Sequence, residues 1–360
     1  MTRAFLAACA LAGISACSSS YSDPLPAQAV RHRVKTADGW DLSLVKYPPV
    51  GTTRGRPVLL CHGVGANDRS MDLDDRHSLA RWFAAHGRET WTMSLRATGD
   101  SDRPDPKAGR PSGYDFDTLW RQDVAAAVAY VRAQTGGGPI DYVGHSMGGM
   151  LIYAYLSQGG QGLGAVATLG SPTRLDWGGA IEPLVEGVGE VAVNGRWLLP
   201  LALSSHLSAG LQATLEDGPI QLIFYNPKNV EPATWARLAA IGTADISGAV
   251  ALQLLGLMRT GAFGSADGTL DYRKDLGKVR TPVLVVAAKL DRIAVTPAVK
   301  DGFRALGGEK EWFLAGQESG AEADYGHLDL VVGERASTEI FPRLLDFFDR
   351  HAGSGGLPRP

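Results

Sequence analysis

The chain has 360 residues, 44% of them hydrophobic and 20% charged, which is enough apolar matter for a large core and excludes a disordered polymer. Its formal charge of -3, with no long Lys/Arg cluster, excludes a nucleic-acid scaffold and a polybasic membrane patch. Small neutral or weakly charged partners fit this balance.

Residues 1–17 have a composition of their own. Thr2-Arg3 supply a short positive start, Ala4 to Ile14 are apolar or small, and Ile14-Ser15-Ala16-Cys17 closes the stretch. The segment resembles a bacterial lipoprotein signal peptide, and its apolar run is too short to span a bilayer, so it reads as a processed export signal. Cys17 is the lipidation candidate, because the alternative Leu6-Ala7-Ala8-Cys9 leaves almost no apolar region before it. The resemblance implies an exported protein held by an N-terminal lipid anchor at a bacterial membrane, on the periplasmic or surface side of the outer membrane. With the leader removed and Cys17 acylated, Cys61 has no intramolecular disulfide partner. It ends the run Val58-Leu59-Leu60 and reads as a small buried hydrophobe.

Residues 18–33, Ser/Pro-rich at their start, read as a flexible tether. From Val34 onward, β-rich runs at Leu42 to Tyr47, Val58 to Cys61, Thr90 to Ser94, Ile140 to Val143, Ala165 to Leu169, Val283 to Ala287 and Glu311 to Phe313 alternate with longer amphipathic stretches. That alternation predicts an α/β fold with a mostly parallel sheet and helices on both faces, the first two runs forming an antiparallel hairpin at its edge. Leu73 to Ala85 is helical in pattern and ends at Gly87. Phe116, Leu119, Trp120, Val124, Val128 and Val131 recur at helical spacing until Gly136-Gly137-Gly138-Pro139 stops that helix. Ile340 to Phe348 predicts a closing helix. Residues 173–272, rich in Leu, Ala and Gly, break the rhythm and predict a helical cap inserted into a core of 34–172 and 273–352. Within it, Trp197, Leu198-Leu199, Phe224, Leu254-Leu255 and Phe263 suit either an acyl-binding surface or ordinary helix packing.

Gly144-His145-Ser146-Met147-Gly148 lies between a predicted strand and a predicted helix, the setting that a nucleophile elbow requires. Ser146 is the candidate nucleophile, and Gly144 and Gly148 permit the close approach that the turn demands. A serine hydroxyl needs a base within hydrogen-bond reach and a third group to orient that base. Asp291 follows the run Val283 to Ala287 by a short loop, and His327 lies after the last predicted strand, giving the order Ser146, Asp291, His327. Asp176, Asp324 and Asp329 are alternatives for the acid, and an N-cap role also suits an aspartate in that loop. The other histidines fit less well: His32 adjoins the tether, His77 and His86 belong to the first helix region, His206 to the cap and His351 to the tail. The His145 side chain is expected on the opposite side of the turn from the nucleophile. For the oxyanion, His62-Gly63-Val64-Gly65 after Cys61 offers the N–H of Val64, and the elbow helix offers that of Met147. Gly63 allows close approach there, and His62 is expected to hold the loop.

The ordered set Leu60-Cys61-His62-Gly63, Gly144-His145-Ser146-Met147-Gly148-Gly149, Asp291 and Gly326-His327 resembles the α/β-hydrolase superfamily over Val34 to Phe348. Pro57 to Ala66, Trp91 to Arg96 and Tyr325 to Asp329 are similar to acid-lipase-like and polyhydroxyalkanoate-synthase-like bacterial hydrolases. The resemblance implies an α/β-hydrolase fold, an eight-stranded, mostly parallel sheet with the cap inserted after its sixth strand. It further implies hydrolysis of carboxylic esters by a Ser-His-Asp triad through an acyl-enzyme, with no metal or organic cofactor. Ser146 stands where polyhydroxyalkanoate synthases place cysteine and where dehalogenases and epoxide hydrolases place aspartate, which disfavours those chemistries. Acyl transfer with the same triad is the enzymatic alternative; a non-catalytic lipid-binding lipoprotein is the other. Acyl chain length, alcohol and oligomeric state are not encoded in these motifs.

Overall fold

The computed structural model describes residues 24–175, the backbone of 198–199, and residues 221–352. Eight strands form one sheet: β1 Val30–Lys35, β2 Asp41–Tyr47, β3 Val58–Cys61, β4 Thr90–Met93, β5 Ile140–His145, β6 Leu163–Leu169, β7 Val283–Ala288 and β8 Lys310–Ala315. Their spatial order is β1-β2-β4-β3-β5-β6-β7-β8. β2 pairs antiparallel with β1 and β4, and all other pairs are parallel. β3, β4 and β7 are buried at every residue, which is why they read as unbroken apolar runs instead of alternating ones.

Pleating divides those runs between two cores. Leu59, Cys61, Tyr142, Val283, Val285 and Ala287 face one, while Val58, Leu60, Val143, Leu284, Val286 and Ala288 face the other. On the first face lie the helical segment 116–134 and α3 Met147–Ser157. Segment 116–134 starts on the N-cap Asp115, whose carboxylate accepts from Thr118 N, passes through a π-helical stretch at Leu119–Val124, and ends as α2 Ala125–Gln134. On the second face lie α1 Leu79–Ala85 and the C-terminal helix Phe341–Arg350, joined by Phe83, Phe341, Leu344, Phe347 and Phe348. Cys61 is a free thiol, fully buried, and desolvation pushes it up to about 12, so it stays protonated near neutrality.

Two expectations from the sequence are corrected. The edge hairpin pairs β2 with β1, not with β3: Val30 to Arg33 form strand where a tether was expected, and Leu25 and Ala29 already pack on the core. Charged residues alternate along Val30–Lys35, and its solvent-facing side hides the strand signal from a search for apolar runs. The first helix is shorter than its pattern, because Asp72 to Ser78 form a bridged loop and Ser78 caps the helix by accepting from Arg81 N.

Between β6 and β7 the described residues carry the short helix Gln221–Phe224, α4 Pro232–Ile241 and α5 Gly248–Thr260. Leu198–Leu199 pairs antiparallel with Ile246–Ser247. Phe263 is buried against Phe116 and Tyr272 and, with Phe116, Met150, Leu254 and Leu257, lines a small cavity. Cys17 and the rest of the leader, Asp176, Trp197 and His206 lie outside the described residues.

α4 is fastened to the core by a buried cluster. The His77 imidazole lies 2.9 Å from both Asp74 Oδ1 and Glu334 Oε1. Thr234 donates to Glu334 Oε1 at 3.1 Å and Arg237 Nε lies 3.5 Å from Asp74 Oδ2. Burial lowers the proton affinity of His77, but hydrogen bonds and charge from the two carboxylates raise it further and set the direction upward. Such a group contributes stability that is complete below its unfolded value of 6.5 and lost as pH rises through the raised folded value. Urea unfolding of the wild type and His77→Gln should therefore show a larger wild-type advantage at about pH 6 than at about pH 9. An equal advantage at both would mean that the cluster works without a charged imidazole.

Candidate active site

β5 runs into Ser146 at the start of α3. Ser146 has φ 53° and ψ -122°, and only it and Ala97 have positive φ among the described non-glycine residues. A side chain in that region carries steric strain, so surrounding contacts must hold it. Ser146 N donates to Leu169 O at 2.8 Å, and Ser146 O accepts from Gly149 N at 3.0 Å. The turn closes only without flanking side chains: a Cβ on Gly144 would lie 2.5 Å from Gly148 C, and one on Gly148 would lie 2.5 Å from Cys61 O. The elbow helix is thereby pressed against the loop that follows β3.

Asp291 and His327 meet over the neighbouring strand ends. His327 Nδ1 donates to Asp291 Oδ2 at 2.7 Å, both side chains being buried. The other carboxylate oxygen accepts from Ile293 N at 2.8 Å and Ala294 N at 2.7 Å, so the aspartate caps its own loop and orients the imidazole at once. Leu290 N donates to Tyr325 O at 2.8 Å and ties the two loops together. With Nδ1 as donor, Nε2 of the neutral ring is the free acceptor. Of the alternative acids, Asp324 Oδ1 accepts from Gln317 N, and Asp329 accepts from Gly326 N and Asn229 Nδ2. Neither is bonded to the His327 ring.

Ser146 stands beside this pair. Its neighbour His145 lies with its ring centroid 4.7 Å from that of His327 and its Nε2 3.0 Å from His327 O, while a Cβ on Gly63 would lie 3.0 Å from Ser146 Cβ and 3.5 Å from His145 Nδ1. Ser146 Oγ makes no hydrogen bond to the imidazole among the described residues. His145 turns toward His327. Burial first, then the adjacent His327 ring, hold His145 down to about 3, so it is a neutral donor to the His327 carbonyl.

The loop after β3 brings the remaining candidates to the same place. His62 Nδ1 donates to Gly63 O at 2.8 Å and Nε2 accepts from Leu95 N at 3.2 Å, bracing that loop against the one after β4. Burial lowers its proton affinity and keeps it neutral. Val64 and Met147 share the wall of one cavity with Arg96, Asp245 and Val250. Arg96, not singled out from the sequence, is buried with its Nε 2.8 Å from Asp123 Oδ1 in the π-helical stretch and Nη1 2.7 Å from Asp38 Oδ2.

Gly170 was also not found from the sequence. It has φ 54°, and a Cβ there would lie 3.1 Å from Asp291 Oδ2 and 3.2 Å from His327 Nδ1. The signal was a strand breaking at Gly170-Ser171-Pro172, which marks a turn but not what approaches it. Among the described residues, no group of three or more His, Cys, Asp or Glu side chains is arranged to hold a metal ion.

The family described as alpha/beta hydrolase fold matches residues 56–192, which take in the loop after β3 and the turn at Ser146. The chain is 24% identical to triacylglycerol lipase 1 of Arabidopsis thaliana over 90% of its own length and 88% of the relative's. It is 25% identical to lipase lipl-5 of Caenorhabditis elegans over 87% of each chain. Among solved structures, a thermophilic esterase from Thermogutta terrifontis superposes with a TM-score of 0.60 at 16% identity, over 90% of this chain and all 100% of that one. The chain has the α/β-hydrolase fold, and the proteins that it is similar to in sequence include lipases.

Proposed function

We propose that the protein is a serine hydrolase that cleaves carboxylic esters through an acyl-enzyme. The observation that carries this reading is the Asp291–His327 hydrogen bond of 2.7 Å beside a serine held at φ 53° on the elbow. His327 Nε2 takes the proton of Ser146 Oγ as the oxygen attacks the acyl carbonyl, and Asp291 orients the ring and stabilises the imidazolium that forms. The serine and imidazole, unbonded in the free enzyme, close to hydrogen-bond distance when substrate fills the site. The N–H groups of Val64 and Met147 receive the negative charge that builds on the carbonyl oxygen. Collapse expels the alcohol with the proton from His327, water then attacks the acyl-serine with His327 again as base, and the carboxylic acid leaves. The lipase relatives favour substrates with apolar acyl groups, and an acylated Cys17 holds the exported enzyme at a bacterial membrane.

Ser146→Ala should abolish labelling by a fluorophosphonate probe and lower ester turnover by roughly 10⁴-fold or more. Labelling that survives the substitution would remove Ser146 from the mechanism. Gly170→Ala, in which a methyl group presses on the Asp291–His327 pair, should leave a folded protein by circular dichroism whose kcat is lower by about 100-fold. An unchanged kcat would mean that the pair tolerates displacement. Metabolic labelling with palmitate should mark the wild type and not Cys17→Ser; equal incorporation in both would refute the anchor.

A further inference from the structure

The catalytic imidazole is carried on a loop that is bonded, on both sides of it, to the segment inserted between β6 and β7. Asp329 is fully buried two residues after His327. Its Oδ2 accepts from Gly326 N at 2.8 Å, the residue before the histidine, and from Asn229 Nδ2 at 2.9 Å; its Oδ1 accepts from Asn226 N at 3.1 Å. The carboxylate thus closes a ring around position 327 and fixes that ring to residues 226 and 229. Asn226 Nδ2 and Asn229 Nδ2 also donate to Asp324 O, at 2.6 and 2.9 Å. Leu328 N donates to Phe224 O at 2.9 Å, and Glu334 N to Asn229 O at 2.8 Å. Contact is close enough that a Cβ on Gly326 would lie 2.9 Å from Asn226 N and from the Tyr225 backbone. Burial pushes the Asp329 carboxyl up to about 6, against the pull of the N–H groups of Gly326, Asn229 and Asn226. A carboxylate ringed by donors and sealed from water resists rearrangement, because every partner would be left unsatisfied.

We propose that Asp329 and Asn229 are positioning residues for His327, so that the inserted segment 224–229 sets where the general base stands. This rests on the reading of His327 as that base. Neither side chain is hydrogen-bonded to the imidazole or to Ser146; each acts by holding the backbone that carries the ring. The consequence is that a displacement of residues 224–229 displaces the base.

The experiment compares full-length wild type, Asn229→Ala, Asp329→Asn and Asp329→Ala, with rates normalised to active sites titrated by the fluorophosphonate. kcat should fall about 10-fold in Asn229→Ala and Asp329→Asn and about 100-fold in Asp329→Ala, with KM nearly unchanged, since substrate contacts remain. The conservative Asp329→Asn, which keeps one acceptor oxygen, should recover part of the loss seen in Asp329→Ala. Proton NMR should show a downfield resonance from His327 Nδ1–H in the wild type that is absent in His327→Gln, and weakened or lost in Asn229→Ala and Asp329→Ala. Variants that fold yet keep wild-type kcat and this resonance would overturn the proposal and leave only a structural role. If the wild type neither turns over esters nor reacts with the probe, the hydrolase reading fails, and the resonance still decides whether these residues position the ring. Should Asp329→Ala not fold, Asn229→Ala carries both measurements.

Discussion

The site depends on how closely three pieces of backbone approach one another at the end of the sheet. Gly144 and Gly148 sit against each other across the turn, and Gly148 sits against the carbonyls of Cys61 and His62. No side chain larger than hydrogen fits at these contacts, and with it absent the elbow helix can begin where β5 ends. The strained backbone of Ser146 follows from that geometry, and the hydrogen bonds of its N–H and carbonyl to Leu169 and Gly149 hold it there. The same approach puts the loop of Gly63 and Val64 beside the serine, so the proposed nucleophile and oxyanion donors are brought together by packing of main chain on main chain.

The imidazole is held by different means. Its ring is oriented by Asp291, whose second oxygen is occupied by two backbone N–H groups and so cannot turn away. Its carbonyl is held by His145, and its loop by Asp329 and the asparagines of the inserted segment. Burial keeps His145 and His62 neutral, which confines them to hydrogen bonding and keeps two positive charges away from His327. The acid half of the site therefore depends on polar contacts between distant segments, while the serine half depends on glycine.

Much of this was legible before any fold was known. The runs Val58 to Cys61, Ile140 to Val143 and Val283 to Ala287 are strands because continuous apolar stretches suit a sheet buried on both faces. Val30–Lys35 escaped notice because an edge strand with charges toward solvent lacks that signature. The helix expected from Leu73 was shortened by Asp72 to Ser78, whose polar side chains favour a loop and an N-cap over continued helix.

What the amino-acid order determined by itself is the local chemistry: a serine between glycines at a strand-to-helix junction, a glycine-rich loop after an apolar strand, and an aspartate and a histidine placed after later strands. Those features need only neighbours along the chain to express them. Tertiary structure alone decided which aspartate meets the histidine, which way His145 turns, why Gly170 must lack a side chain, and that Asp329 looks to Asn229 and away from the ring. Each of those contacts joins residues tens to hundreds of positions apart, and their meeting is fixed by the order of strands in the sheet, which backbone propensity and hydrophobic period do not specify.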